Sequence, residues 1–178
     1  MSHGVAISLV LFACGASWTM QCRADGASVF SPNGLQATHV CSAPAGKFET
    51  IRLPLLPGPL QVTGYVRATR FRRETKWIPA VTVVVGNMKA EPGVQAVYWS
   101  TYMELRLVQY KDAYLAKRRI PTTEERLPFR LEFDRNGRGT VQLGPLRSAT
   151  AVKVEPERQL LLFCSSGDFV LEELQIDQ

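Results

Sequence analysis

The chain has 178 residues, 46% of them apolar and 21% charged, with a formal net charge of +5. That is one domain's length and an ordinary globular composition, which excludes a disordered or low-complexity chain. No apolar run approaches the roughly 18 residues a membrane-spanning helix needs, and the mild basic excess suggests anionic partners at most.

The N-terminus reads as a targeting segment. Residues 5–14, VAISLVLFAC, are apolar, and small and polar residues follow up to Cys22-Arg23-Ala24 before Asp25. Small side chains at the last and third-last positions suit a signal-peptidase site after Ala24. The start, MSHG, departs from the usual pattern in lacking Lys or Arg. A competing reading takes Leu11-Phe12-Ala13-Cys14 as a bacterial lipobox with a lipid anchor at Cys14, although Phe12 fits that motif poorly. The chain thus divides into a signal segment at 1–24, a linker rich in Ala, Gly, Ser, Pro and Asn at 25–44, and one domain at 45–178. The expected location is periplasmic or secreted, at a bacterial-type cell envelope. In that setting nucleic acid is not an expected partner.

Cleavage after Ala24 leaves two cysteines, Cys41 and Cys164. An even count in an exported chain suggests a disulfide, and two separate buried thiols are the alternative. With no Cys-x-x-Cys and no Cys/His cluster, no metal or other cofactor is expected.

Strand-like runs follow, at 48–53, 60–71, 79–86, 94–110, 127–133, 139–144, 151–155, 158–164 and 168–176, while 111–126 reads mostly as a long loop. Val, Ile, Thr and aromatic residues dominate these runs, with turn residues between them. Such a series without helices predicts an all-β, antiparallel β-sandwich. The stretch LEFDRNGRGTVQLG (131–144) shows the logic. Leu131 and Phe133 alternate with Glu132 and Asp134, Val141 and Leu143 alternate with polar residues, and Asn136-Gly137 marks a hairpin turn. Gly139 would admit a bulge.

The order of FRLEFDRNGRGTVQLG and then LLLFCSSGDFVLEELQI resembles the concanavalin A-like (laminin-G-like, glucanase-like) jelly-roll superfamily. The likeness covers roughly residues 45–177 as a pattern of strands and turns. It implies a jelly roll whose first and last strands lie together, which would bring the Cys41 and Cys164 regions close. It also supplies a catalytic template to test. Retaining glucanases of this type carry Glu-x-Asp-x-x-Glu or Glu-x-Asp-x-Glu on one strand, with a nucleophile and an acid/base. Here the run is Glu132-Phe133-Asp134-Arg135-Asn136-Gly137. The last Glu is missing, so nothing protonates a leaving group, and the chain leans toward a non-catalytic role. Nor does Asp134-x-Asn136-Gly137 supply enough oxygens for a calcium loop.

The run 94–110, read as one strand, puts Val97, Trp99, Met103, Leu105 and Leu107 on a core face. Tyr98, Tyr102, Glu104 and Arg106 fall on the other, where rings stack on sugars and charged groups bind their hydroxyls or carboxylates. Tyr65 and Arg67 on a neighbouring strand, with Arg130 and Glu132, would extend the same groove. The plain alternative is a solvated sheet face, since such pairs stabilise sheets by a few tenths of a kcal/mol. The basic stretches 67–76 and 116–119 read as solvated faces, Trp77 as a partly buried anchor, and His39 as an isolated exposed histidine. The resulting expectation is an exported, non-catalytic binding module for carbohydrate. Its rivals are a lyase acting on acidic polysaccharide, with Tyr98 or Tyr102 as base and Arg67 and Arg106 as cations, and a structural or protein-interaction jelly roll.

Overall fold

The computed structural model describes residues 37–72, 77–86, 92–110, 113–152 and 158–178. The expected leader with Cys14 and Cys22, the first part of the expected linker, residues 73–76 and residues 153–155 lie outside the described residues. Within them are ten strands: β1 (Ala37–Pro54), β2 (Leu60–Phe71), β3 (Ala80–Gly86), β4 (Gly93–Tyr98), β5 (Tyr102–Tyr110), β6 (Ala113–Pro121), β7 (Leu127–Phe133), β8 (Arg138–Leu143), β9 (Leu146–Ala151) and β10 (Gln159–Asp177). All pairings are antiparallel, in the order β6-β5-β4-β3-β10-β2-β7-β8-β9, with β1 on β10.

Period-2 alternation decides what each strand buries. Val62 and Val66, Phe129, Leu131 and Phe133, and Val141 and Leu143 point one way and are all buried. Met103, Leu105 and Leu107 of β5 face them, and each is fully buried. The hydrogen-bonded path folds over, so that β4 packs onto β8 and β5 onto β8 and β9. One hydrophobic cluster fills the space between the two layers. The architecture is the expected antiparallel sandwich.

The fold-over is made by β1 and β10. The last part of β1, from Phe48 to Pro54, pairs with Ser165 back to Gln159, while its first part, from Ala37 to Ala43, pairs with Leu174 back to Gly167. The register slips between Ala43 and Phe48. There Gly46 has φ 67° and Ser166 φ 48°, so both strands bend together from one layer into the other. Asp168 ties this bend. Its carboxylate accepts from Ser42 Oγ at 2.5 Å and from Arg72 Nη2 at 2.6 Å, and Arg72 also donates to the Ala43 carbonyl at 3.0 Å.

Burial opposes ionisation of Asp168, but the hydrogen bonds from Arg72 and Ser42 and the charges of Arg72 and Arg70 outweigh it, so the carboxyl titrates below its ordinary value. A carboxyl whose folded pKa is depressed stabilises the fold above its unfolded pKa and loses that contribution as pH falls through the folded value. Asp168→Asn is therefore expected to lower unfolding free energy at pH 7 by about 1–3 kcal/mol, a charged hydrogen bond's worth. The gap from the parent should close as pH drops below about 4, near the unfolded carboxyl pKa. Urea midpoints at pH 7 and pH 3 check this, and an unchanged gap at both would exclude the carboxylate as its source.

The structure departs from the sequence expectations at five places, one of them β9, which runs Leu146–Ala151 where no strand was expected before 151. The linker expected at 25–44 is strand from Ala37 onward, because that segment covers β10 even though its small residues resemble a linker. The run 94–110 is two strands, reversed at residues 99–101, where Trp99 N donates to Tyr102 O at 2.8 Å. Residues 113–121 form the edge strand β6 rather than a loop. Finally, the runs 158–164 and 168–176 are one bent strand, β10.

The 131–144 hairpin forms as expected. Asp134 Oδ1 accepts from the backbone N–H of Asn136 at 2.8 Å and of Arg138 at 2.9 Å, and Gly137 takes φ 75°. A side chain at Gly139 would sit 1.7 Å from the Glu132 carbonyl oxygen, which explains a glycine there.

Cys41 and Cys164 are bonded to each other. Both are buried, with Cα atoms 6.1 Å apart and a sequence separation of 123. Cys41 lies in the first half of β1 and Cys164 in the first half of β10, so the bond crosses the bend and joins the two layers. Glu49 is the only further metal-capable side chain grouped with them among the described residues, and their sulfurs are already spent on each other.

Candidate functional site

The outward face of the β2–β7–β8–β10 layer carries a shallow depression of about 390 Å³ lined by Thr63, Tyr65, Arg130, Gln142, Glu173 and Gln175 around Gly64. Strand alternation supplies most of it. On β2 the inward Val62 and Val66 leave Thr63, Tyr65 and Arg67 pointing outward, and β7 contributes Arg130 and Glu132 in register with Thr63 and Gln61. Gln142 of β8 lies opposite Arg130. The remaining wall comes from a bulge in β10 between Glu172 and Gln175, where Glu173 has φ 51° and an extra residue is turned toward the depression. Gly64 forms the floor: a Cβ there would meet the Phe129 ring at 3.0 Å and the Glu172 carbonyl oxygen at 3.1 Å.

Each guanidinium around this depression already has a carboxylate. Arg67 donates from Nε and Nη2 to Glu172 Oε1 at 2.9 and 2.7 Å. Arg126 lies 4.2 Å from the centroid of the Tyr65 ring and donates to Glu173 at 2.7 Å. Arg130 donates to Glu132 at 3.2 Å and to Gln61 at 2.9 Å. The face therefore offers fixed donors and acceptors with little net charge, beside one aromatic ring.

The six expected binding residues do not form one groove. Tyr65 and Arg67 lie on this face, with Arg130 and Glu132 beside them as expected. Tyr102, Glu104 and Arg106 point outward from β5, in the other layer, and so occupy the opposite side of the sandwich. Tyr98 is in the core, 4% exposed, with ring centroids 4.9 Å from Phe71 and 5.7 Å from Phe169. The cause is the reversal at 99–101. It shifts the alternation, so that even positions face the core in β4 and odd ones do in β5.

On the β5 side, Glu104 is 7% exposed and holds two arginines. Its carboxylate accepts from Arg106 Nε at 2.6 Å and Arg119 Nε at 3.3 Å. Burial alone would raise its pKa, but those hydrogen bonds and charges prevail and hold it below the ordinary range. Arg106 further donates to Gln95 and to the Tyr114 hydroxyl, each at 3.1 Å.

Two smaller expectations also shift. His39 is half-buried in β1, and burial lowers its pKa against the pull of Glu49. Trp77 is 38% exposed, edge-on to Phe48, whose ring stacks on Phe163. Of the depression's lining, Gln142 was visible as an outward position of the hairpin. Arg126 in a loop and Glu173 on a bulge had no periodic signal to reveal them.

No protein-family model matches the chain, and no curated protein matches it in sequence. Solved structures do match it in shape. The carbohydrate recognition domain of Emp46p superposes with a TM-score of 0.52 at 10% identity, covering 80% of this chain and 86% of that one. The carbohydrate-binding CBM2 module of the evolved Dit protein of Lactobacillus casei BL23 phage J-1 gives 0.50 at 6% identity, over 78% and 74%. An alginate lyase of Pseudomonas aeruginosa gives 0.50 at 9% identity, over 74% of each chain. The fold is a concanavalin A-like jelly roll. At these identities the likeness is one of fold, and a fold of this kind hosts many activities. The jelly roll's own side chains must therefore carry any argument about function.

Proposed function

We propose that this jelly roll is an exported, non-catalytic glycan-binding module whose site is the depression on β2, β7, β8 and β10. The observation that carries this reading is the combination found there: the Tyr65 ring, the amides of Gln142 and Gln175, the hydroxyl of Thr63, and guanidinium groups fixed by carboxylates. Pre-oriented donors and acceptors beside a ring suit sugar hydroxyls and the apolar face of a pyranose. Because each arginine is charge-paired, the face favours neutral glycans over uronates. Carbohydrate-binding proteins among the structures of like fold support the same direction. Export, to a periplasmic or secreted location, is supported by the leader-like residues 1–24 and by the disulfide, which is characteristic of oxidising compartments.

The test is a glycan array, neutral and acidic polysaccharides side by side, with titration of the hits. Tyr65→Ala is expected to weaken binding at least tenfold while the thermal midpoint stays within a few degrees of the parent. A blank array, or a hit indifferent to Tyr65, would remove this face as a glycan site. The rival lyase reading keeps only Tyr102 with Arg106, since Arg67 lies on the opposite side of the sandwich and Tyr98 is enclosed.

A further inference from the structure

The two outer faces differ in charge balance. Around the depression, arginines and carboxylates pair one to one. On the β5–β6 side, Glu104 serves Arg106 and Arg119 together, and Lys117 lies directly across from Arg106 in the strand register. Two arginines thus share one carboxylate with a third cation beside them, and the like-charged cross-strand pair Arg106–Lys117 costs stability. Edge strands often carry Lys and Arg to deter pairing with other chains. That purpose does not require an arginine to be held in place.

Arg119 is held. Its Nε is anchored to Glu104 and its guanidinium lies 4.8 Å from the centroid of the Tyr102 ring, yet its side chain is 68% exposed. Tyr102 is itself backed by Trp99, with centroids 5.9 Å apart. The two Nη groups of Arg119 have no hydrogen-bond partner among the described residues. Lys117 projects from the same side of β6 two residues away, within about 7 Å along the strand, and its ammonium likewise has no partner among the described residues.

We infer that Arg119 and Lys117 form an anion-binding strip for a sulfate or phosphate ester carried on a glycan. A planar carboxylate is satisfied by one guanidinium fork. A tetrahedral ester presents a further oxygen, which the mobile ammonium of Lys117 reaches while the fixed fork holds the other two. Glu104 and Tyr102 act as positioning groups that hold the fork in place before the ligand arrives. The strip lies on the opposite layer from the Tyr65 depression and does not depend on it.

The test uses the full chain and five polymers: dextran sulfate, phosphomannan, unmodified dextran, polygalacturonate and duplex DNA. Dextran sulfate or phosphomannan is expected to bind, and whichever binds tighter identifies the ester. The double variant Lys117→Gln with Arg119→Gln should weaken that binding at least tenfold. Arg135→Gln with Arg138→Gln, which removes the same charge from the β7–β8 turn, should change it less than twofold. Lys117→Gln alone, at a side chain with no partner to lose, should weaken binding about threefold without moving the thermal midpoint. Equal losses in the two double variants would reduce the strip to net charge and overturn the site. Polygalacturonate binding as tight as the esters would overturn the tetrahedral assignment, duplex DNA binding as tight would overturn the glycan, and no binding of either ester would overturn the proposal whole.

Discussion

Replacing both half-cystines, Cys41→Ala with Cys164→Ala, is expected to lower the unfolding free energy by about 5 kcal/mol in the chain-entropy account of a loop this long. Roughly 10–20 °C of thermal midpoint goes with it, at the usual few degrees per kcal/mol for a domain of this size. Alanine is the right replacement because both positions are buried, and a serine hydroxyl there would add its own desolvation cost. The bond closes almost the whole described chain and joins the two layers across the bend of β1 and β10. Its loss therefore frees a large share of the unfolded ensemble and removes a side-chain cross-link between the layers. Denaturation of the parent with reductant in the unfolded baseline should reproduce the variant's midpoint. A variant within a degree or two of the parent would show that Asp168, Arg72 and the core hold the bend without it.

Tyr98→Ala separates a binding side chain from a core one. In the structure Tyr98 fills space between Phe71 and Phe169, so truncation leaves a cavity and should cost about 3–5 kcal/mol, as for other buried aromatics. Tyr98→Phe keeps the packed ring and should cost less than about 1.5 kcal/mol, the range of near-isosteric core changes. Glycan affinity per folded molecule should be unchanged in both. Tyr65→Ala should behave in the opposite way, with affinity lost and stability nearly kept. Urea melts alongside titrations read both quantities. A Tyr98→Ala protein of parental stability that no longer bound glycan would return Tyr98 to the site and contradict its placement in the core.

The sandwich class, the 131–144 hairpin and strands such as β2, β3 and β7 were legible in the residues, because local alternation and turn chemistry determine them; the disulfide was suggested only by the even cysteine count. The candidate face was legible only in part. β2 and β7 kept their parity, so Tyr65, Arg67, Arg130 and Glu132 were placed together correctly. The run VQAVYWSTYMELRLVQY contains no Gly or Pro, and a turn made from Trp99, Ser100 and Thr101 leaves no punctuation to find. The missed reversal gives β4 and β5 opposite parities, so Met103, Leu105 and Leu107 keep the expected core face while Tyr98 turns into the core as well. Glu104 and Arg106 face outward as expected, but from the layer that β2 does not share. The β10 bulge that turns Glu173 is set by tertiary pairing to β2, not by local sequence. Segment 37–44 was missed for the same reason: its partner strand lies more than a hundred residues away.

That distant pairing has a consequence for how the chain comes into being. The first described strand finds its hydrogen-bond partner only in the last, and β10 is also the strand that β2 and β3 both require. Until residues 159–177 have left the ribosome, neither layer can complete its ladder and the bend cannot close. A chain dominated by contacts this far apart folds slowly. Neither layer is therefore complete until β10 is made, and the Cys41–Cys164 bond closes only after that strand has arrived.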